Sequence, residues 1–213
     1  MQVIRPAFVI ETPIDGAEML RSIERIGRTC YKSEEHITAD SARAFVARLV
    51  RMGHESVLEH FNVTVRIVCD RGVTHEIVRH RIASYSQEST RYCNYTKGKF
   101  GSEITVIEPS FWDPYSEAYR VWHAAMQASE QAYRRLIELG ASPQEARSVL
   151  PNSLKTEIVM TMNIRSWRNF FRLRIAAGAH PQMREIALPL LAAFQTRMPA
   201  LFDDVVVDDE QPA

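Results

Sequence analysis

Apolar positions along the chain recur at two different periods. Phe61, Val63, Val65, Ile67 and Cys69 alternate with Asn62, Thr64 and Arg66, which predicts a strand over 61–70 with one buried face. Alternation returns over 154–163, with Leu154, Ile158, Met160 and Met162 opposite Lys155, Glu157, Thr161 and Asn163. Shorter apolar runs predict a first strand over 3–10, ending at Thr12-Pro13, and another over 103–107, closed by Pro109. Between them the spacing turns helical. Met19, Leu20, Ile23 and Ile26 share a stripe over 15–29. Phe45, Val46, Leu49 and Val50 mark a second helix, capped by Thr38 or Asp40 and ended by Gly53. Thr74 is placed to cap a short helix through His80, after which residues up to 91 read as a loop.

Asp113-Pro114 opens the longest helix, which runs to about 139 and stops at Gly140. Ser142-Pro143 starts a short one that ends before Pro151. A helix from about 165 to 176 would bury Ser166, Phe170 and Leu173, and the last, over 181–202, carries Pro189 and is expected to kink there. The mixed order lacks a regular βαβ alternation. It predicts an α+β fold: a small, largely antiparallel sheet packed with helices, as a single domain over 1–213 with an acidic tail over 203–213.

Composition fits a globular chain with a core: 46% apolar and 24% charged residues in 213. Lys plus Arg equals Asp plus Glu at 26 each, so no global field recruits nucleic acid or a membrane surface. No apolar run approaches the roughly 20 residues of a membrane span. The first residues lack the apolar core of a secretory signal. Cys30, Cys69 and Cys93 are an odd set without paired spacing, which suits a reducing, cytoplasmic setting. Charge is uneven along the chain. Four arginines and no acid fall between Asn163 and Gly178, a candidate anion site in which self-neutralisation looks unfavourable. Five acids and no base follow from Asp203, which reads as a solvated tail.

The glycines form neither G-x-G-x-x-G nor a Walker loop. Two histidine pairs fail as zinc sites. His75 and His80 are five apart, a rotation of roughly 500° on a helix, so their imidazoles diverge; His54 and His60 are spaced worse. No metal is expected. The densest chemistry lies in residues 79–91, where Arg79, Arg81 and Arg91 stand among Ser84, Ser86, Ser89 and Thr90. Guanidinium forks and hydroxyls are donors suited to phosphate oxygens. Ile82, Ala83 and Tyr85 would pin this segment to the body. A polar connector with Leu58 tucked inward spans 53–60. Arg165 and Asn169, four apart, share a helix face.

Arg79-His80-Arg81, seven residues and then Ser89 resembles the signature of the flavin-dependent thymidylate synthases. The likeness extends in register over about 50–185, including His54-Glu55-Ser56, the run 145–151 and the run 163–169. It implies reductive methylation of dUMP to dTMP, with methylenetetrahydrofolate as carbon donor, FAD as hydride carrier and NADPH as reductant. Carried over residue by residue, Ser56, Arg79, His80, Arg81, Gln87, Asn163, Arg165 and Asn169 match flavin contacts, and His54 a histidine near the reactive ring. Glu76, Arg79, Gln87, Ser89, Thr90, Arg91, Arg147 and Arg174 match dUMP contacts, with Ser89 nearest the uracil and Arg174 at the pyrimidine edge. His54, Ser89 and Arg174 are thereby the implied catalytic set. Glu76 stands where the family often has Gln, and Gln87 where some relatives carry Glu. His180 is the histidine after Arg174, in a segment about two residues longer than in some relatives. The resemblance also implies a homotetramer with active sites shared between subunits.

No cysteine lies in the signature or beside a matched base, so the thiolate attack used by folate-only synthases has no candidate here. A non-catalytic nucleotide or flavin sensor would carry a decayed set, whereas the matched set is complete. An RNA-binding module would carry net positive charge and exposed stacking aromatics near its basic residues, whereas the net charge here is zero and Trp167, Phe170 and Phe171 fall in an amphipathic helix.

Overall fold

The computed structural model describes residues 1–98 and 103–207. These residues gather into two compact units. The first comprises Met1–Val9, Arg66–Arg79 and Tyr85–Val159; the second comprises Ile10–Val65, His80–Ser84 and the described part of Met160–Ala213. The fold is α+β, as the sequence predicts.

The strands are β1 (Gln2–Ile4), β2 (Ala7–Ile10), β3 (Asn62–Asp70), β4 (Ser84–Gln87), β5 (Thr105–Ile107) and β6 (Lys155–Asn163). The larger sheet has the order β2-β3-β6-β4. Ile164 N–H donates to the Phe61 carbonyl, and the Thr64 and Thr161 hydroxyls meet at 2.9 Å. One index rises as the other falls, so β3 and β6 run antiparallel. Val63, Val65, Ile67 and Cys69 are fully buried, as are Ile158 and Met160, so both alternations read from the sequence hold.

Where the predicted first strand is one run, the structure has two strands in different sheets. Pro6 separates them, removing a donor and restricting Arg5 before it. β1 then pairs with β5 in parallel, Gln2 opposite Thr105 and Ile4 opposite Ile107, an exception to the antiparallel rule of the rest. A further strand, β4, forms inside the segment expected to be loop. Its Ser84-Tyr85-Ser86-Gln87 alternates exposed and half-buried without any aliphatic residue to announce it.

In the first unit, α3 (Arg71–Ile77), α4 (Glu117–Glu138) and α5 (Pro143–Ala146) accompany the strands. α3 is capped by Asp70, whose carboxylate accepts from Val73 N–H at 2.7 Å. Thr74, the expected cap, lies buried inside the helix. α4 starts at a Ser116 cap, later than Asp113. Its Trp122, Met126 and Tyr133 build the unit's core with Tyr95, Ile104, Val106 and Leu154.

In the second unit, α1 (Gly16–Thr29) lies against α2 (Ser41–Arg51). Gly27 permits the approach: a Cβ there would stand 2.8 Å from the Phe45 ring. Gly53, at φ +72°, ends α2 in the left-handed region that favours glycine. A 3₁₀ turn, Glu55–His60, leads into β3 and buries Val57 and Leu58.

α6 (Ile164–Arg174), α7 (Pro181–Arg197) and α8 (Pro199–Phe202) close this unit. Its core is aromatic: Trp167, Phe170, Phe171, Phe194 and Phe202 pack with neighbouring centroids 5.1–5.8 Å apart. Each such ring contributes roughly 1.5–3 kcal/mol through burial alone. The buried stripe of α6 is therefore Ile164, Trp167, Phe170 and Phe171, and the predicted Leu173 is 54% exposed. α7 continues through Pro189. The single predicted helix to 202 instead breaks at Met198, before Pro199.

Candidate functional site

In the second unit the arginine-rich α6 faces acids contributed by distant segments. Arg168 is 1% exposed, and its guanidinium grips Asp204 in a two-pronged pair at 2.7 and 2.6 Å, with Nε on Glu55 at 3.0 Å. It also donates to the Leu201 carbonyl. Arg165 pairs with Glu59 at 2.5 Å and lies 3.7 Å from Glu55. Arg172 reaches Glu55 and Asp204 at 3.8 and 3.9 Å. The expectation that this acid-free run would lack internal neutralisation is thus overturned, because the carboxylates come from elsewhere in the chain. The acidic tail is corrected by the same contacts. Asp204 is a clamp on α6, and only 208–213 of that segment lie outside the described residues.

Arg174, at the end of α6, is treated differently from its neighbours. Its Nε donates to His80 Nε2 at 3.0 Å. The imidazole is nearly buried and stands edge-on to Phe170, with centroids 4.9 Å apart. Burial, and after it the positive charge of Arg174, lowers the His80 pKa to about 4. The ring is therefore neutral near pH 7, and an Nε2 that accepts places the proton on Nδ1. The contact orients Arg174 without contributing a compensating charge.

Asn163 caps α6, its side-chain oxygen accepting from Ser166 N–H at 2.8 Å. Arg165 and Asn169 are both exposed on that helix. His180 caps α7, with Nδ1 accepting from Gln182 N–H at 3.3 Å. His54 and Ser56 line a 440 Å³ cavity with Leu49, Gly53, Val57 and Arg165. Cys30 and Tyr31, which sequence reasoning did not single out, line it too. Glu55 also lines it, 3.7 Å from Arg165, so that guanidinium is already partnered by carboxylates, and the imidazole, hydroxyl and apolar walls suit the flat ring of a ligand better than its phosphates. Arg81 is exposed, and Ile82 is 74% exposed, so Ile82 does not pin the signature as expected.

In the first unit, Glu76 sits on α3 and Arg79 follows it, exposed. Tyr85 does anchor its segment, donating to the Ile77 carbonyl at 2.9 Å. Gln87 turns its amide onto the hydroxyls of Thr74 and Thr156 at 3.1 and 3.3 Å. Ser89 Oγ accepts from Arg91 N–H at 3.3 Å, and its carbonyl accepts from Cys93 N–H at 3.0 Å, a compact turn that presents Arg91 to solvent over the Tyr92 ring. Thr90 is 5% exposed, and its hydroxyl accepts from Arg147 Nη1 at 3.3 Å.

Two cavities among the described residues of this unit differ in their electrostatics. The larger, 790 Å³, holds Arg66, Glu88, Lys155 and Glu157, but these neutralise one another through the Arg66–Glu157 and Lys155–Glu88 pairs. The smaller, 470 Å³, is lined by Thr90, Arg147, Ser148, Asn152 and Arg71, with no carboxylate in its wall. An anion is favoured in the second and not in the first. Arg71 is a residue that sequence reasoning missed. Its one local signal is a cation at the first position of a helix, against the dipole.

Among the described residues no group of three or more His, Cys, Asp or Glu is placed to hold a metal, and no helix is long and apolar enough to cross a membrane.

Residues 14–200 match the family described as Thymidylate synthase complementing protein. The flavin-dependent thymidylate synthase of Geobacter sulfurreducens is 36% identical over 184 residues, covering 83% of this chain and 78% of its own. That of Corynebacterium glutamicum is 33% identical over 216 residues, covering 92% and 83%. Among solved structures, a UMP/dUMP methylase, PolB from Streptomyces cacaoi, bound with 5-Br dUMP, has a TM-score of 0.78 at 22% identity, covering 95% of this chain and 96% of that one. That likeness is one of fold.

Proposed function

Because the chain belongs to the flavin-dependent thymidylate synthases, we propose that it methylates dUMP reductively to dTMP, taking the carbon from methylenetetrahydrofolate and reducing equivalents from NADPH through FAD. The observation that carries this reading is the meeting of Thr90 and Arg147. These two matched nucleotide contacts stand 57 positions apart in the chain and come within 3.3 Å in a cleft without a carboxylate.

His54, Ser56 and Arg165 would hold flavin, with Asn163 and Asn169 supporting it from α6. Flavin, when bound, supplies the hydride chemistry that amino-acid side chains do not. Arg174, oriented by a neutral His80, stabilises negative charge developing on the pyrimidine ring. Ser89 and Arg91 hold the nucleotide, and Gln87 supports that turn from within. Cys69 is not the nucleophile of a thiolate mechanism: burial pushes its thiol well above its ordinary range, away from the reactive thiolate form. The three free cysteines fit the reducing cytoplasm. We assign the working form to a homotetramer, which light scattering tests as a mass roughly four times 24.4 kDa.

The reading is tested by the visible spectrum of the purified protein, with and without added FAD, followed by addition of dUMP. A bound flavin band that shifts on addition of dUMP supports it. A protein that takes up no flavin and shows no response to dUMP contradicts it.

A further inference from the structure

Among the described residues lining the cavity of His54 and Ser56, Glu55 alone carries a carboxylate. It sits between those two residues in the chain, and its side chain is largely buried. Arg168 holds it, with Nε donating to Glu55 Oε1 at 3.0 Å. The other cations near Glu55 are looser. Arg165 and Arg172 stand 3.7 and 3.8 Å away, both half-exposed, and Arg165 makes its shorter contact with Glu59. Arg168 is itself fixed by the Leu201 carbonyl and by both carboxylate oxygens of Asp204. A guanidinium gripped on three sides keeps one position, and it keeps its charge at every pH at which the protein is folded. Arg168 does not line the cavity, and the family resemblance assigns it no role. Its bond to Glu55 nevertheless sets the charge of the cavity wall. Electrons added to a flavin ring bring negative charge, and an unmatched carboxylate beside the ring would repel it.

We infer that Arg168 is a positioning residue for the cofactor: it fixes and neutralises Glu55, so that no unmatched carboxylate faces the flavin ring when the ring gains electrons. The inference rests on the flavin reading above. It goes beyond that reading by tying the reduction potential of the site to a buried arginine outside the cavity and, through Asp204, to the segment that follows α8. Arg168 acts through Glu55 and touches neither substrate nor cofactor.

The test measures the midpoint potential of bound FAD and the thermal unfolding temperature in the wild type, Arg168→Gln, Arg168→Lys, Asp204→Asn, Glu55→Gln and the double variant Arg168→Gln/Glu55→Gln. Arg168→Gln is expected to bind reduced FAD about tenfold less tightly relative to oxidised FAD, a potential about 30 mV lower for a two-electron couple. Arg168→Lys keeps the charge and should recover part of that shift. Asp204→Asn removes a different, half-exposed partner of the same arginine, so it should lower the unfolding temperature and leave the potential in place. The double variant should return the potential toward the wild-type value without regaining stability, because the carboxylate that Arg168 neutralises is gone. A merely structural role predicts no such rescue. An unmoved potential in Arg168→Gln overturns the inference. So does a shift that the double variant retains, or an equal shift in Asp204→Asn. If Arg168→Gln fails to fold, Glu55→Gln decides: with Arg168 kept, loss of the carboxylate must raise the potential, and an unmoved value overturns the inference. A wild-type protein that takes up no flavin removes the flavin reading and the inference with it, whereas flavin uptake without these shifts removes the inference alone.

Discussion

Arg174 donates to His80 across 94 positions of sequence, at 3.0 Å, so the middle residue of the Arg-His-Arg triplet serves as a neutral acceptor for an arginine of α6. A protonated His80 could not accept that bond, and it would place a second positive charge beside Arg174. The lowered pKa and the hydrogen bond are two aspects of one arrangement.

A pH dependence follows. His80 has a folded-state pKa of about 4, below its unfolded value of about 6.5. The unfolded chain therefore binds more protons between these values, and the contribution of this group to stability falls as pH drops from about 6.5 to about 4. Above about 6.5 the group is neutral in both states and stability is insensitive to it. Denaturant midpoints measured from pH 4 to 7 should fall less steeply in His80→Gln, which cannot titrate. Parallel slopes in the two proteins would remove His80 from the account.

Arg174→Ala should lower kcat by about a hundredfold or more while the protein remains folded, the usual cost of losing a group that stabilises transition-state charge. Steady-state dTMP formation checks this, and near-normal turnover would sink the assigned role.

Arg168 has a different function, though it lies on the same helix. It is buried and joins α6 to Glu55 and Asp204. Arg168→Ala should destabilise the fold by about 2–3 kcal/mol, less than a fully buried pair because Asp204 is half-exposed. Asp204 itself is held below the usual carboxylate range, chiefly by its hydrogen bond from Arg168. Its stabilising contribution is present above the unfolded pKa and lost as pH falls through the lower folded value. Thermal unfolding of Arg168→Ala and Asp204→Asn at neutral and acid pH separates the two effects.

The contrast between Arg168 and Arg174 marks what the sequence discloses and what it leaves hidden. Alternation in β3 and β6 is a local pattern, and both strands appear where it predicts them. The partners of Arg168 are tertiary: Glu55 stands 113 positions away and Asp204 36, and no local period connects them. Phe170, Phe171 and Leu173 all fit a helical period, and only packing against Phe194 and Phe202 selects Trp167 and Phe171 over Leu173 for the buried stripe of α6. β4 escaped notice because its half-buried residues, Tyr85 and Gln87, are polar. At the site, Thr90 and Arg147 are legible through resemblance, whereas Arg71 becomes visible only in the wall of the folded cleft.

Replacement of all three cysteines (Cys30→Ser, Cys69→Ala and Cys93→Ser) should leave dTMP formation intact, with at most a modest stability loss at buried Cys69. Complete loss of product in a protein that keeps its fold and its flavin would point to a thiolate nucleophile instead.

The central claim is that the flavin's reducing equivalents reach the nucleotide. The direct measurement is a single turnover without air: the flavin is reduced with NADPH, dUMP and methylenetetrahydrofolate are added, and flavin absorbance and dTMP are followed together. The account predicts reoxidation with about one dTMP formed per flavin. Reduced flavin that persists with both substrates present, or reoxidation without dTMP, would contradict it.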